Sequence, residues 1–103
     1  MTEKVLYGYD IDGVMTAGIT VKTPYVIISG RTFAEYDHYT GELAQGAPLY
    51  IRGAGAYGDH QHAGEFKAMM INWLGVTEFH EDHPQQIAII EARCPDREVV
   101  SHA

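Results

Sequence analysis

The sequence predicts an α/β domain in which a mostly parallel sheet of about five strands is covered by helices on both faces. Short β-branched or aromatic runs alternate along the chain with segments of helical periodicity, which is the pattern of βαβ units. These runs are bounded by turn residues, as buried strands are. With 103 residues and a hydrophobic fraction of 46 %, residues 1–103 have the size and composition of one domain with its own core.

Five segments are predicted to be strands because each is short, apolar and flanked by turn-forming residues. They are residues 5–9, 25–28, 48–52, 77–81 and 97–101. Only twelve residues, 13–24, join the first two strands, which is about the minimum for a parallel crossover. We therefore expect any helix in this connection to be vestigial or replaced by a loop.

The clearest helical pattern covers residues 65–74, and Gly75 follows it as a natural stop. Its apolar residues recur at the spacing of one helix face, which we expect to belong to the core. They are Phe66, Met69, Met70, Trp73 and Leu74.

Two other segments are predicted to be helical. One begins at Pro84, which suits a first helical turn, and continues with Ile87, Ile90 and Cys94 on one side. The other, over residues 32–44, has a weaker pattern that Gly41 is expected to interrupt.

The first predicted strand ends in two carboxylates one residue apart, Asp10 and Asp12, and Gly13 then turns the backbone. Two like charges this close repel each other unless a cation lies between them or one is protonated. Mg²⁺ prefers carboxylate oxygens and keeps coordination positions open for phosphate and water. Taken alone, the pair fits a divalent-metal site and a polar turn after a strand equally well.

Three further polar sites lie at or near the ends of strands, where α/β sheets bind their ligands. Ser29 and Gly30 offer a hydroxyl and backbone N–H groups as a small anion cradle, or form an ordinary turn. Lys67 lies in the first turn of its predicted helix, where a cation is disfavoured without a specific partner, although a surface lysine also fits. Glu81 and Asp82 follow the fourth strand, where a helix N-cap and a solvated acid would also explain them.

Taken in this order, the four sites resemble the four motifs of the haloacid dehalogenase superfamily. Residues 10–14, Asp-Ile-Asp-Gly-Val, match the first motif closely, and the resemblance covers almost the whole chain. It implies a three-layer, Rossmann-like domain. No cap domain fits between the first two strands, and only residues 53–64 separate the third strand from the helix of Lys67.

The resemblance implies a hydrolase, a Mg²⁺-dependent phosphomonoesterase that works through an aspartyl-phosphate. Asp10 is then the nucleophile and Asp12 the acid–base. Members lacking this second aspartate are typically not phosphomonoesterases, so its presence favours a phosphatase. Mg²⁺ is held by Asp10, the backbone carbonyl of Asp12, and Asp82. Ser29 and Lys67 bind the phosphate, and Lys67 also offsets the negative charge around Asp10.

Two features depart from the usual pattern of this superfamily. The fourth motif is Glu81-Asp82, so a metal contact by Glu81 stays open, and Gln86 stands where many relatives carry another aspartate. An open, capless site suits a phosphorylated small molecule, a nucleotide, a nucleic-acid end or a phosphoprotein. A neighbouring subunit in a homo-oligomer would serve as an alternative lid.

The glycine-rich loop 53–62 is expected to lie over the strand ends. Gly30 and Arg31 are candidate substrate-binding residues beside it, although Arg31 is equally explained as a solvated side chain. His60 or His62 would bond a phosphate or a ribose, and Tyr57 would stack on a base or a sugar. A flexible surface loop explains the same residues.

Three alternatives remain open. A degenerate member of the superfamily would bind metal or nucleotide without turnover, which a phosphatase assay separates from an enzyme. A receiver-like phosphoacceptor domain is disfavoured, because its paired acids adjoin each other and its lysine follows the last strand. A zinc cluster would use histidines whose spacing enforces no tetrahedral site, namely His60, His62, His80 and His83.

The composition limits the partners. A net charge of −7 disfavours long contacts with nucleic acid, which need many basic residues, though one local phosphate contact remains feasible. No apolar run approaches the roughly 20 residues that span a bilayer, and no signal-like segment follows Met1, so we expect no membrane association. The single cysteine, Cys94, fits a reducing, cytoplasmic compartment.

Overall fold

The centre of the fold is a sheet of five parallel strands, which the computed structural model places in the order β3-β2-β1-β4-β5. The structure describes residues 4–103, apart from the side chain of His38. The strands are β1 (Tyr7–Tyr9), β2 (Tyr25–Thr32), β3 (Leu49–Gly53), β4 (Glu78–Glu81) and β5 (Glu98–Ser101). The predicted α/β class and all five predicted strands are confirmed, and the sheet is entirely parallel within the described residues. β2 extends beyond its predicted end at residue 28.

The connections contain three helices and two short 3₁₀ turns, and within residues 4–103 nothing forms a further domain over the strand ends. They are the 3₁₀ turns Met15–Ala17 and Phe33–Glu35 and the helices α1 (His38–Leu43), α2 (His60–Leu74) and α3 (Pro84–Arg93). The connection after β1 holds one 3₁₀ turn, as its length predicts. The segment 32–44 divides because Asp37 caps a new helix by accepting a hydrogen bond from the Thr40 N–H; Gly41 lies inside α1 and does not interrupt it.

The side chains of β2 alternate between two cores, as the pleat of a doubly covered strand requires. Val26 and Ile28 belong to the core under α2 and α3, whereas Ile27 belongs to the core on the opposite face. β1 contributes Gly8 to the first core, where a Cβ atom would lie 2.7 Å from the ring of Phe79. The missing side chain therefore lets Phe79 pack directly on the central strand.

The buried face of α2 differs from its predicted face. The helix begins at His60, because the Asp59 carboxylate caps it by accepting a hydrogen bond from the His62 N–H. Met70 is buried as predicted, but the predictions that Met69 and Trp73 are core residues are wrong, since they are 58 % and 75 % exposed. The face against the sheet and α3 also carries small residues and a lysine. Its buried members are Ala63, Gly64, Lys67, Ala68, Met70 and Ile71.

Small residues bring α2 close to its neighbours. A Cβ atom on Gly30 of β2 would lie 2.8 Å from the Ala63 Cβ, and one on Gly64 would lie 3.0 Å from Ile89 of α3. This close approach places Lys67, one turn after Ala63, at the edge of the sheet where β1 and β4 end. Among the described helices, none combines the length and apolarity needed to cross a bilayer.

Candidate active site

The candidate site lies where three neighbouring parallel strands end. β1 lies between β2 and β4, so the residues that follow these strands meet at one edge of the sheet. Asp10 comes directly after β1, and its N–H donates to the His80 carbonyl at 3.1 Å, which continues the pairing of the two strands. Glu81 is the last residue of β4, and Asp82 follows it.

A cavity of about 350 Å³ opens at this edge and is lined by both acidic and basic side chains. The titratable residues of its wall are Asp10, Asp12, Arg31, Glu35, Arg52, Tyr57, Asp59, His60, Lys67, Glu81, Asp82 and His83. The first, third and fourth sequence motifs therefore converge on one cavity.

Lys67 joins three elements at the floor of this cavity. Its Nζ donates to Asp10 Oδ1 at 2.9 Å, to the two Glu81 carboxyl oxygens at 2.9 and 3.2 Å, and to Gln86 Oε1 at 2.6 Å. The side chains of Lys67, Asp10 and Glu81 are 2 %, 6 % and 0 % exposed. Lys67 therefore has the specific partner that the sequence analysis calls for, and this partner is a pair of buried carboxyl groups.

Burial shifts the protonation of this trio. It raises the pKa of Asp10, which Lys67 partly opposes, and it raises the pKa of Glu81 to about 9 with Asp10 adding to the effect. Burial alone would lower the pKa of Lys67, but the charges of Asp10 and Glu81 outweigh it and raise that pKa. Burial therefore favours the protonated form of the two carboxyl groups, while their charges favour the protonated form of Lys67.

The acidic residues of this edge fit a hard divalent cation. Carboxylate oxygens of Asp10, Glu81 and Asp82 all lie within 4.8 Å of one another, and Asp82 adds a negative charge that Lys67 does not contact. Gly13 makes room for Asp82: its φ is +80°, and a Cβ there would lie 1.9 Å from Asp82 Oδ2. Oxygen-only ligands of this kind suit Mg²⁺. The sequence analysis names the carboxylates of Asp10 and Asp82 as ligands, and the structure brings Glu81 to the same cluster.

Asp12 points its carboxylate elsewhere. Its two oxygens accept hydrogen bonds from Arg31 Nε at 3.1 Å and from Arg31 Nη2 at 2.9 Å. The Asp12 side chain is 63 % exposed and that of Arg31 is 13 % exposed. The Arg31 guanidinium also donates to the Thr40 hydroxyl, and its bond to Asp12 raises the pKa of Arg31. These contacts involve the Asp12 carboxylate and not its backbone carbonyl, which is the atom that the sequence analysis assigns to the metal.

The predicted substrate-binding residues divide between the cavity and its surroundings. Gly30, Arg31 and His60 line the cavity. Ser29 is fully buried inside β2, and its Oγ accepts a hydrogen bond from the Arg31 N–H at 3.1 Å. His62 lies on the exposed side of α2, with its Nδ1 3.3 Å from Arg52 Nη1.

Arg52 holds the glycine-rich loop against the sheet. Its Nε donates to the Gly30 carbonyl at 2.9 Å, and its Nη2 donates to the Ala56 carbonyl at 3.1 Å. Gly55 has a φ of +121°, which lets the loop turn back over Arg52. The loop presents Tyr57 at the cavity rim with 86 % of its surface exposed.

The four histidines of the zinc alternative do not converge. His60 and His83 stack at the cavity with their ring centroids 3.6 Å apart, and His60 Nδ1 lies 2.9 Å from Gln86 Nε2. His80 packs on the opposite face of the sheet against Tyr9. Among the side chains that the structure describes, the only potential metal ligands that converge in a group of three are the carboxylates of Asp10, Glu81 and Asp82.

Sequence reasoning did not identify three residues of this site. In the sequence Gln86 stands out only as a departure from the acidic pattern, yet its Oε1 accepts a hydrogen bond from Lys67 Nζ. Arg52 lies inside a predicted strand, where a charged residue in a doubly covered sheet already indicates a specific partner. Thr40 gives no such signal, because its contact with Arg31 depends on the packing of α1.

Comparison with known proteins adds no assignment: no protein family, no curated protein and no solved structure gives a match to this chain.

Proposed function

We propose that this chain is a Mg²⁺-dependent phosphomonoesterase whose nucleophile is Asp10. The observation that supports it is the buried contact of the Lys67 ammonium with Asp10 and Glu81, beside Asp82 and at the floor of an open cavity. Together with the Asp10-x-Asp12 spacing, this contact supports the proposal drawn from the resemblance to the haloacid dehalogenase superfamily. The proposed compartment is the cytoplasm, in keeping with the free thiol of Cys94.

In the proposed reaction a carboxylate oxygen of Asp10 attacks the phosphorus atom, and the bond from phosphorus to the ester oxygen breaks. Asp12 first takes up a proton from solvent and gives it to the leaving alcohol, and it then takes a proton from the water that hydrolyses the aspartyl-phosphate. Inorganic phosphate leaves, and Asp10 returns to its starting state. Throughout, Lys67 keeps Asp10 oriented and offsets negative charge beside the phosphoryl group.

The residues that would hold magnesium are Asp10, Asp82 and the backbone carbonyl of Asp12, with Glu81 in reach. When bound, Mg²⁺ would neutralise phosphate oxygens and make the phosphorus more open to attack. A cation here would also favour the ionised forms of Asp10 and Glu81, so its binding should release a proton.

The proposed substrates are nucleotides or phosphorylated nucleic-acid ends. The cavity is open at the edge of the sheet, and Tyr57 at its rim offers a ring on which a base can stack. The negative net charge limits such contact to the end of a strand.

The test is a phosphatase assay of the chain with a generic phosphomonoester, nucleotides, and oligonucleotides phosphorylated at the 3′ or 5′ end. We expect turnover with Mg²⁺ and none with a chelator. Asp10→Asn should lower kcat by roughly a thousandfold or more, since it removes the nucleophile. Asp96→Asn is the matched control at an exposed position in the turn before β5. Turnover retained in Asp10→Asn would refute the assignment.

A second candidate is a binding module without turnover, and the Asp12–Arg31 pair favours it. Both carboxylate oxygens of Asp12 are engaged by the guanidinium, so Asp12 is not free to serve as acid–base while this pair lasts. In this case calorimetry would detect Mg²⁺ or nucleotide binding, and the same assay would give no phosphate release with any substrate. The assay therefore separates the two candidates.

A further inference from the structure

Arg31 binds Asp12 through an edge of its guanidinium that fits a phosphate group equally well. Nε and Nη2 donate in parallel to the two carboxylate oxygens at 3.1 and 2.9 Å. Guanidinium groups bind phosphate in the same forked geometry, with two parallel N–H···O bonds. A phosphate group in the cavity would therefore compete with Asp12 for this edge.

The remaining contacts of Arg31 hold it in place at the cavity. Its N–H donates to Ser29 Oγ at 3.1 Å, its Nη1 donates to the buried Thr40 hydroxyl, and the same Nη1 lies 3.9 Å from Asp37 Oδ1. None of these contacts uses Nε or Nη2. Arg31 can thus change the partner of one edge while the rest of the residue stays anchored.

Asp12 is the exchangeable member of the pair. Its side chain is 63 % exposed, so water can take over its oxygens when Asp12 leaves Arg31. Asp10 exchanges partners less readily, because it is only 6 % exposed and its partner Lys67 only 2 %. Arg31 and Asp12 both line the cavity that contains Asp10 and Lys67.

We propose that Arg31 exchanges partners during binding, holding Asp12 in the ligand-free protein and transferring the same edge to the phosphate group of the substrate. The inference rests on the proposed function, because it places the phosphate in the same cavity. Phosphate binding then releases Asp12, so the acid–base becomes available only when a phosphate is present. A ligand without a phosphate group leaves Asp12 paired.

A double-mutant cycle on phosphate binding tests the exchange. The affinity of inorganic phosphate is measured by calorimetry, in the presence of Mg²⁺, for the original chain, Asp12→Ala, Arg31→Gln and the double variant. Asp12→Ala should strengthen phosphate binding because Arg31 no longer has to leave a partner. In the Arg31→Gln background the same change should help at least about fivefold less, which is a typical size for coupled sites.

The cycle removes the simpler explanation that Asp12 repels phosphate by its charge. Such repulsion acts in both backgrounds alike, so an equal gain in both would overturn the exchange. Phosphate affinity that does not fall in Arg31→Gln would also overturn it.

Two further variants sharpen the result. Arg31→Lys keeps the positive charge but loses the forked geometry of the guanidinium, so we expect the coupling with Asp12→Ala to be lost as well. A coupling that survives in Arg31→Lys overturns the exchange. This variant also replaces Arg31→Gln in the cycle if Arg31→Gln folds poorly. Arg52→Gln removes another arginine of the same cavity that does not contact Asp12, and the gain from Asp12→Ala should persist there. A cycle that shows coupling in a protein without turnover would refute the phosphatase and leave the exchange standing.

Discussion

Two ion-pair networks lie side by side at the C-terminal edge of the sheet and differ in their access to water. In one, the side chains of Lys67, Asp10 and Glu81 are 2 %, 6 % and 0 % exposed; in the other, those of Arg31 and Asp12 are 13 % and 63 % exposed. The members of the buried network depend on one another, because water reaches these side chains far less than it reaches Asp12. In the Arg31–Asp12 pair, water can replace the partner of the exposed Asp12 carboxylate. Asp10 and Asp12 are only two residues apart, yet the contact of Asp10 is fixed and that of Asp12 is exchangeable.

The largest effect is expected from removing the cation of the buried network. Lys67→Met leaves Asp10 and Glu81 facing each other without compensation, and we expect the free energy of unfolding to fall by about 3–5 kcal/mol. Urea unfolding measures the loss. Lys22→Met is the matched control, since that lysine is 61 % exposed and 3.6 Å from Glu78, and it should cost less than about 1 kcal/mol. Similar losses in both variants would contradict the comparison.

The next effect is a dependence of stability on pH that comes from Glu81. Its pKa rises from 4.5 to about 9 on folding, so between these values the folded protein holds a proton that the unfolded chain releases. The free energy of unfolding should therefore fall as the pH rises from about 4.5 to about 9, in the presence of a chelator. Glu81→Gln should flatten this slope, whereas Glu91→Gln, at an exposed position on α3, should keep it. An unchanged slope in Glu81→Gln would show that Glu81 is not the source.

A smaller effect is expected at Gly13, which lies against the Asp82 carboxylate. Gly13→Ala forces a side chain into a left-handed backbone, at about 1–2 kcal/mol, and also displaces Asp82. Gly18 has nearly the same φ, +77°, with no atom within 4 Å of a Cβ, so Gly18→Ala measures the backbone cost alone. Thermal unfolding should show Gly13→Ala to be the less stable variant, and only Gly13→Ala should lose stabilisation by Mg²⁺. Equal losses would mean that Asp82 is free to move.

The smallest effect on stability is expected at the Arg31–Asp12 pair. Asp12→Ala removes the contact with Arg31 and leaves the bond from Arg31 to Thr40 in place, and we expect the free energy of unfolding to fall by no more than about 1 kcal/mol. Urea unfolding checks this beside Lys67→Met under the same conditions. A loss as large as that of Lys67→Met would place Arg31 among the fixed contacts and remove the basis for an exchange.

The strands were predictable from the sequence because their apolar character reflects burial on both faces. The orientation of α2 was not, since counting apolar residues assigns Met69 and Trp73 to the core and leaves out Lys67. Burial of a lysine is stable only with its partners in place, and those partners arrive from β1 and β4 in the folded chain. The sequence pattern places the start of α2 too late, at residue 65, because the first turn of the helix, residues 60–62, is polar.

The candidate site was predictable as far as motif order reaches. Asp10, Lys67 and Asp82 follow from their places at the ends of predicted elements, and the cavity brings all three together. The partner of each charge depends on distances between elements that are remote in sequence. Lys67 and Glu81 are 14 residues apart, and Arg31 and Asp12 are 19 apart, so periodicity carries no record of either contact.

The contact between Gly30 and Ala63 sets how far the Lys67 ammonium reaches. A single added methyl group at residue 30 would meet the Ala63 Cβ at 2.8 Å and lift the helix from the sheet. The ammonium would then withdraw from both carboxyl groups, although neither residue 30 nor residue 63 contacts it through a charge. A redesign of this protein should therefore treat residues 30 and 63 as one spacer. Their combined size should be chosen first, and the side chains around Lys67 second.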